Sequence, residues 1–191
     1  MKVRTFSPSL INVKDNITPD DKNWTWVLER KCDDCGFDAS VFDSTRTAHA
    51  LRDQVVRWTL VLAGDNVTTR PQPGVWSPLE YGCHVRDVFR KFDERLKLML
   101  ETVEPAFENW DQDATAIEDR YDVQNPETVA EELSEAGLSL ATRFESVQPD
   151  QWSRRGFRSD GSVFTVDSIA KYLMHDPVHH LWDVSAEVPR Y

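Results

Sequence analysis

The residues best suited to chemistry are three histidines in two predicted helices. His175 and His179 are four residues apart, so in a helix their side chains leave one face on successive turns. Two imidazoles at that spacing can bind one metal ion, and a third ligand must then come from another element. Of the chain's five histidines, His84 is the best candidate, because it lies beside the apolar stripe of the second predicted helix. The competing interpretation is that all three are surface or hydrogen-bonded histidines.

The phase of the last predicted helix supports the metal interpretation. Its apolar residues cluster on one side, whereas His175 and His179 lie on the other side with polar neighbours. Pro177 lies between the two histidines, where a proline removes a backbone hydrogen bond at a cost of roughly 3 kcal/mol. The resulting bend could aim both ligands at one point, or it could only wrap the helix around its neighbours. A bend that rotates the helix would let His180 replace His179.

Three carboxylates near these histidines could hold the free ring N–H of a ligand and fix its tautomer: Asp87, Asp176 and Asp183. We favour Asp183, four residues after His179, and ordinary surface charge is the alternative. Three imidazoles leave positions open for water or a thiolate, whereas a structural zinc site is closed by a fourth protein ligand. The nucleophile would then be metal-activated water or thiol. Zinc and nickel both accept these ligands.

Three further residues are candidates for binding an anionic substrate or a thiol cofactor. Arg120 and Tyr121 lie in a long connection between helices, and Arg158 lies in a predicted hairpin. An arginine offers a two-pronged donor to a carboxylate. The competing interpretation is that each arginine forms a surface ion pair with one of the many acidic residues nearby.

The pair Cys32-x-x-Cys35 is the other metal-like motif of the chain. It corresponds to half of a zinc knuckle, and no second cysteine pair follows it. No βαβ pattern surrounds it, so a thioredoxin-like function lacks its context. Cys83 precedes His84 but points about 100° away from it on a helix, which favours buried packing over metal binding.

The elements that must position these residues are predicted to be helical. Stop and start signals, of which the capping box Ser77-Pro78-Leu79-Glu80 is the clearest, bound four amphipathic helices at about residues 43–64, 78–103, 126–148 and 166–186. The apolar face of the second helix runs from Tyr81 to Val103. A short hairpin around Ser159-Asp160-Gly161 precedes the last helix. The sequence therefore predicts an all-α four-helix bundle, a single domain over 1–191 with an irregular N-terminal extension over 1–42 and the bundle over 43–187.

Composition and charge exclude several classes of protein. Thirty-three acidic residues against twenty-two Lys and Arg give a formal charge of −11, which disfavours binding to nucleic acid or to anionic membranes. We find no secretory signal, no apolar run of transmembrane length and no Gly-rich phosphate loop. Three cysteines do not make a disulfide scaffold, so a reducing cytoplasm is the expected location.

Four stretches resemble the DinB/YfiT-like superfamily: PGVWSPLEYGCHVRDVF, NWDQDATAIEDRY, RSDGSVFTVDSIAKYL and HDPVHHLWDV. Together they cover roughly residues 70–185 in the expected order. The sequence is most similar to the actinobacterial branch, which is related to the N-terminal domain of mycothiol-dependent maleylpyruvate isomerase.

This resemblance implies a four-helix bundle, often a homodimer, with a divalent metal held by His84, His175 and His179. It also implies a transferase or isomerase that acts on a small molecule and uses mycothiol or a similar thiol. Many relatives continue the last ligand as H-R-G-Q, whereas this chain has His179-His180-Leu181-Trp182. The alternatives are a metal-dependent hydrolase and a non-catalytic bundle with a vestigial metal site.

Overall fold

Four long α-helices form the frame of the molecule in a computed structural model, which describes residue 17 and residues 22–184. They are α1 (Thr47–Leu62), α2 (Pro78–Glu101), α4 (Pro126–Glu145) and α5 (Val166–Asp183). A short α3 (Gln112–Glu118) and three short strands complete the main elements: β1 (Ala106–Phe107), β2 (Arg155–Arg158) and β3 (Val163–Thr165). Single 3₁₀ turns occupy Trp24–Leu28, Ser44–Arg46, Tyr121–Val123 and Pro149–Ser153.

Polar caps begin three of the long helices where the sequence predicts them. Ser77 and Glu80 form the capping box of α2, in which each side chain binds the backbone amide of the other residue. Asn125 caps α4 ahead of Pro126. Thr165 caps α5 and forms a second capping box with Ser168. These caps satisfy amides that have no partner inside the helix, so they fix where each helix starts.

The helices pack as a bundle in which α4 lies against both α1 and α2, and α5 contacts α1 and α2. Gly137 lets α4 pack closely on both helices, because a Cβ atom there would collide with the side chains of Val55 of α1 and Phe89 of α2. Trp58 of α1 is fully buried, and its indole N–H donates to the backbone oxygen of Pro177 at 3.2 Å. The helix α5 continues through Pro177, and this hydrogen bond joins it to α1 at that residue.

The predicted hairpin is present, but the sheet contains one strand more than the sequence indicates. β2 and β3 pair antiparallel around Ser159–Gly161, and β1 pairs with β2 in parallel. The long connection that follows α2 thus supplies a strand and the short α3, neither of which was predicted. Val103 was predicted on the buried face of α2 but is 84% exposed, because the helix ends at Glu101.

The ends of the chain limit two other predictions. Within the N-terminal extension, the structure describes residue 17 and residues 22–42, which include one 3₁₀ turn. The helix α5 ends at Asp183, and the predicted end near residue 186 lies outside the described residues. Among the residues that are described, no helix is long and apolar enough to cross a membrane.

Candidate metal centres

Two overlapping pairs of potential ligands occur on α5. His175 and His179 form one pair, and Asp176 and His180 form the other, displaced by a single residue. Each pair has the four-residue spacing that aligns side chains on successive turns. A displacement of one residue turns the second pair by about 100° around the helix axis. The two pairs therefore face different neighbours.

The first pair meets two cysteines from the N-terminal segment. One potential ligand atom from each of Cys32, Cys35, His175 and His179 lies within 4.8 Å of the other three, and all four residues are buried. The sulfur of Cys32 is 3.6 Å from Nδ1 of His179. The Nε2 atom of His175 is buried and has no hydrogen-bond partner among the described residues. We name these four residues the cysteine–histidine group.

Aromatic rings pack against the histidines of the cysteine–histidine group. The ring of Trp24 lies 5.4 Å from that of His175 and 5.1 Å from that of His179. Burial, with a smaller effect of His179, lowers the pKa of His175 to about 3, and burial also lowers the pKa of His179. Both imidazoles are therefore neutral at neutral pH, which is the form that binds metals. Burial raises the pKa of the Cys35 thiol to about 12, so a cation would be needed to hold its thiolate.

The second pair faces α2. One potential ligand atom from each of His84, Asp176 and His180 lies within 4.8 Å of the other two. Nε2 of His84 is 3.4 Å from Oδ2 of Asp176, and Nε2 of His180 is 3.9 Å from Oδ1 of the same carboxylate. The opposite ring nitrogen of His180, Nδ1, lies 2.7 Å from Oδ2 of Asp183. We name His84, Asp176 and His180 the carboxylate–histidine group.

The geometry of the carboxylate–histidine group fits a cation. Zinc bonds of about 2.1 Å to nitrogen and to oxygen, at the tetrahedral angle, separate the two donors by about 3.4 Å. The distance between His84 and Asp176 matches that value and is longer than a normal hydrogen bond. Oδ1 of Asp176 is buried without a hydrogen-bond partner among the described residues. Burial acts to raise the pKa of Asp176, but His84 and His180 outweigh it and lower the pKa to about 2, so the carboxylate is ionised.

Aromatic side chains hold the ring of His84 in place. Trp110 stacks on it at 5.5 Å with an interplanar angle of 4°, and Trp76 lies 5.4 Å away. The indole N–H of Trp110 donates to the hydroxyl of Thr115 at 2.7 Å, which fixes the tryptophan itself. These contacts orient the ring of His84 toward Asp176.

A cavity of about 90 Å³ adjoins both groups. Asp176 and His180 line it together with His175 and His179, and Trp24 and Trp110 form part of its wall. A water molecule needs about 10–15 Å³ by the same kind of measure, so the cavity has room for several waters or for a small ligand.

Two buried arginines also line the cavity. Arg158 of β2 is paired with Asp160, to which its guanidinium donates at 2.8 and 3.0 Å. Arg95 of α2 donates to the backbone oxygen of Glu108 at 3.0 Å and has no carboxylate within ion-pair distance among the described residues. Burial and then the positive charge of Arg158 lower the pKa of Arg95 to about 10, so it is still charged at neutral pH. This cationic wall favours an anionic ligand.

The predicted metal ligands are divided between the two groups. His175 and His179 belong with the cysteines, whereas His84 belongs with Asp176 and His180. Among the described residues, His84 therefore does not fall in one group of potential ligands with His175 and His179. Asp183 does hold a histidine nitrogen, as predicted, but the histidine is His180.

The predicted substrate contacts are also separated. Arg158 lines the cavity, but Arg120 and Tyr121 do not belong to its lining. Arg120 is exposed and pairs with Asp122 at 3.2 Å. Tyr121 is buried, and its hydroxyl donates to Asp87 at 2.6 Å. Both residues thus bind other side chains of the protein, and neither lines the cavity where a substrate would lie.

Sequence reasoning missed the partners of each pair, although one signal was present. The spacing C-x₂-C followed by H-x₃-H is that of a Cys₂His₂ zinc site, with the two halves far apart in this chain. Asp176 and His180 share the spacing of His175 and His179, so the sequence offers no means of choosing between the two pairs. Arg95 has no local signal, because only the fold brings it beside Arg158.

Comparisons with known proteins agree with this fold. The family model of the DinB superfamily matches residues 47–184. Among solved structures, YfiT from Bacillus subtilis matches with a TM-score of 0.67 and 17% sequence identity, over 74% of this chain and 84% of that one. YfiT is described as a probable metal-dependent hydrolase with an unusual four-helix bundle topology. No curated protein matches the chain.

Proposed function

This chain belongs to the DinB superfamily, and we propose that it is a metal-dependent hydrolase of a small molecule that carries an anionic group. The observation that carries the proposal is the carboxylate–histidine group, an incomplete set of three potential ligands of which Asp176 and His180 line a cavity. The description of YfiT as a metal-dependent hydrolase supports the same class of reaction.

The ligands of the catalytic cation would be His84, Asp176 and His180. Two histidines and one carboxylate form the ligand set of several catalytic zinc sites, and a similar set holds Fe(II) in oxygenases. Three protein ligands leave at least one coordination position for a substrate. A divalent cation held there would polarise a substrate oxygen and activate water as a nucleophile near neutral pH.

The protein's own residues would orient the ligands and exclude bulk water. Asp183 binds Nδ1 of His180 and so directs Nε2 toward Asp176. Trp110 fixes the plane of His84 by stacking. Because these contacts hold the ligands in fixed orientations, the ligands need little rearrangement when a reaction begins.

The anionic group of the substrate would bind at Arg95 and Arg158. Arg158 already has Asp160 as its partner, so the uncompensated charge is that of Arg95. A carboxylate or phosphate that accepts from Arg95 would relieve the repulsion between the two guanidinium groups. The size of the cavity favours a molecule of few heavy atoms.

The test compares His84→Ala with His49→Ala, a change to an exposed histidine that pairs with Asp53 on α1. Metal content would be measured by mass spectrometry, and hydrolysis would be measured on a panel of small esters and amides that carry a carboxylate. We expect His84→Ala to lose one metal equivalent and at least about 100-fold in kcat/KM, because a Lewis acid supplies several kcal/mol. His49→Ala should behave as the wild type.

The same assay separates the alternatives that the sequence leaves open. Turnover that requires an added low-molecular-weight thiol would contradict hydrolysis and favour the thiol-dependent transferase or isomerase. An unchanged metal content and turnover in His84→Ala would overturn the proposal. Metal content at this group well below one equivalent in purified protein would favour the non-catalytic bundle.

A further inference from the structure

The cysteine–histidine group is not used by the proposed reaction. It lies on the side of α5 that faces the N-terminal segment, and its residues are at most 8% exposed. Four potential ligands converge there, which is the number that completes a tetrahedral zinc site and leaves no position for substrate. Its composition, two cysteines and two histidines, is that of structural zinc sites.

The observed distances agree with a tetrahedral ion. Zinc bonds of about 2.3 Å to sulfur and about 2.05 Å to nitrogen separate the two donors by about 3.6 Å at the tetrahedral angle. The sulfur of Cys32 and Nδ1 of His179 are 3.6 Å apart. A hydrogen bond between these two atoms would still leave Nε2 of His175 buried without a partner. A cation at the centre would engage all four residues.

The loop that carries the cysteines is a tight turn held by backbone hydrogen bonds. The amide of Cys32 donates to the backbone oxygen of Phe37 at 2.8 Å, and the amide of Gly36 donates to the oxygen of Cys32 at 3.0 Å. Gly36 has φ +77°, a left-handed conformation that other residues adopt only with strain. This tight turn brings both sulfurs to one side, toward α5.

We propose that Cys32, Cys35, His175 and His179 bind one structural zinc ion that fastens residues 24–42 to α5. The segment includes Trp24, which packs on both histidines and lines the cavity of the neighbouring group. The ion therefore also holds one wall of the cavity in place. This inference does not depend on the proposed hydrolase activity.

The test uses cobalt as the probe, because thiolate ligands give Co²⁺ a charge-transfer absorption in the near ultraviolet that imidazole and carboxylate ligands do not give. Cobalt-loaded wild-type protein should show this absorption. Cys32→Ala and Cys35→Ala should each abolish it and lose one metal equivalent. Cys83→Ala is the matched control, since Cys83 is also buried but lies outside the group, and it should retain the absorption.

A fourth variant separates this site from the proposed catalytic site. His84→Ala should lose the metal equivalent of the carboxylate–histidine group and keep the thiolate absorption unchanged. The absence of thiolate absorption in cobalt-loaded wild-type protein would overturn the proposal, as would its persistence after both Cys32 and Cys35 are replaced. A Cys32–Cys35 disulfide in freshly purified protein, detected as a mass lower by two hydrogen atoms, would also overturn it.

Because a cysteine variant that fails to fold would also lose metal, a measurement on the folded wild type decides the question independently. Titration with an organomercurial thiol reagent should release one zinc equivalent as two thiols react. Cys83→Ala should release the same amount. Reaction of the thiols without release of zinc would contradict the proposal.

Discussion

The two groups on α5 have almost the same sequence position and very different surroundings. The cysteine–histidine group is buried and has four potential ligands from two distant segments, whereas the carboxylate–histidine group has three potential ligands and is only partly buried. Both use a pair of residues four apart on the same two turns of one helix. The number of ligands and their burial, more than the type of residue, therefore distinguish a structural site from a catalytic one.

The groups also differ in what they join. The contact between Cys32 and His179 spans 147 residues and connects the N-terminal segment with the last helix. The carboxylate–histidine group connects α2 with α5, which already pack against each other in the bundle. Loss of the ion should thus damage folding in the first case and chemistry in the second.

The largest expected effect is on stability, from loss of the zinc-bound cysteine. In the chain-entropy model, a cross-link that closes a loop of this length contributes about 5 kcal/mol to the free energy of unfolding. We expect Cys35→Ala to lower the thermal midpoint by roughly 10 °C, and a chelator to do the same to the wild type. Thermal unfolding followed by circular dichroism measures both.

The control for that experiment is Cys83→Ala, which removes the same atoms from another buried position. It has its own packing cost, but it should keep the full response to the chelator, whereas Cys35→Ala should have lost most of it. Equal responses of the two variants to the chelator would show that the cysteines of the N-terminal turn do not bind the stabilising ion. The cysteine–histidine group would then not be a structural site.

The long helices could be predicted from the sequence because their signals are local. Ser77 and Glu80 lie within one turn of each other, and Asn125 directly precedes Pro126, so their caps need no knowledge of the rest of the fold. The strand β1 could not be predicted, because its two residues gain their pairing only from β2, some fifty residues later.

For the candidate sites too, the pairs that are close in sequence could be predicted, whereas the contacts between distant segments could not. The pairs Cys32-x-x-Cys35 and His175-x-x-x-His179 are both visible in the sequence, but their meeting depends on tertiary packing. Which of the two pairs on α5 faces His84 depends on a rotation of about 100°, and helical periodicity near a proline does not determine that rotation. Spacing therefore predicts a set of three histidines, whereas the packing of α5 places His84 beside Asp176 and His180.

A smaller effect, on substrate binding alone, should come from replacing Arg95 in the wall of the cavity. It should change KM without affecting either group of potential metal ligands. We expect Arg95→Met to raise KM by about 10–100-fold for an anionic substrate with little change in kcat, because a charge-assisted hydrogen bond contributes about 1.5–3 kcal/mol. Lys97→Met removes one positive charge from an exposed position of the same helix and should leave KM unchanged. The thiolate–cobalt absorption should be the same in both variants. An unchanged KM in Arg95→Met would remove Arg95 from the substrate site.

The smallest expected effect concerns the start of α2, one turn before His84. Glu80 accepts from Arg70 at 2.9 Å and from the amide of Ser77 at 2.8 Å. Burial acts to raise the pKa of Glu80, but these donors outweigh it and hold the pKa below its usual value of 4.5. A carboxylate whose pKa is lower in the folded state stabilises the fold above its unfolded pKa, and this contribution is lost as the pH falls through the folded pKa.

We therefore expect Glu80→Gln to lower the free energy of unfolding at pH 7 by about 1–2 kcal/mol. The difference from the wild type should shrink below pH 4.5, where the unfolded chain takes up the proton first, and should be lost as the pH falls through the lower pKa of the folded state. Urea unfolding at several pH values measures this difference. Because the change loosens the element that carries His84 and leaves the turn of Cys32 and Cys35 untouched, cobalt binding at the carboxylate–histidine group should weaken while the thiolate absorption stays the same. A difference that is independent of pH would mean that the charge of Glu80 does not stabilise α2.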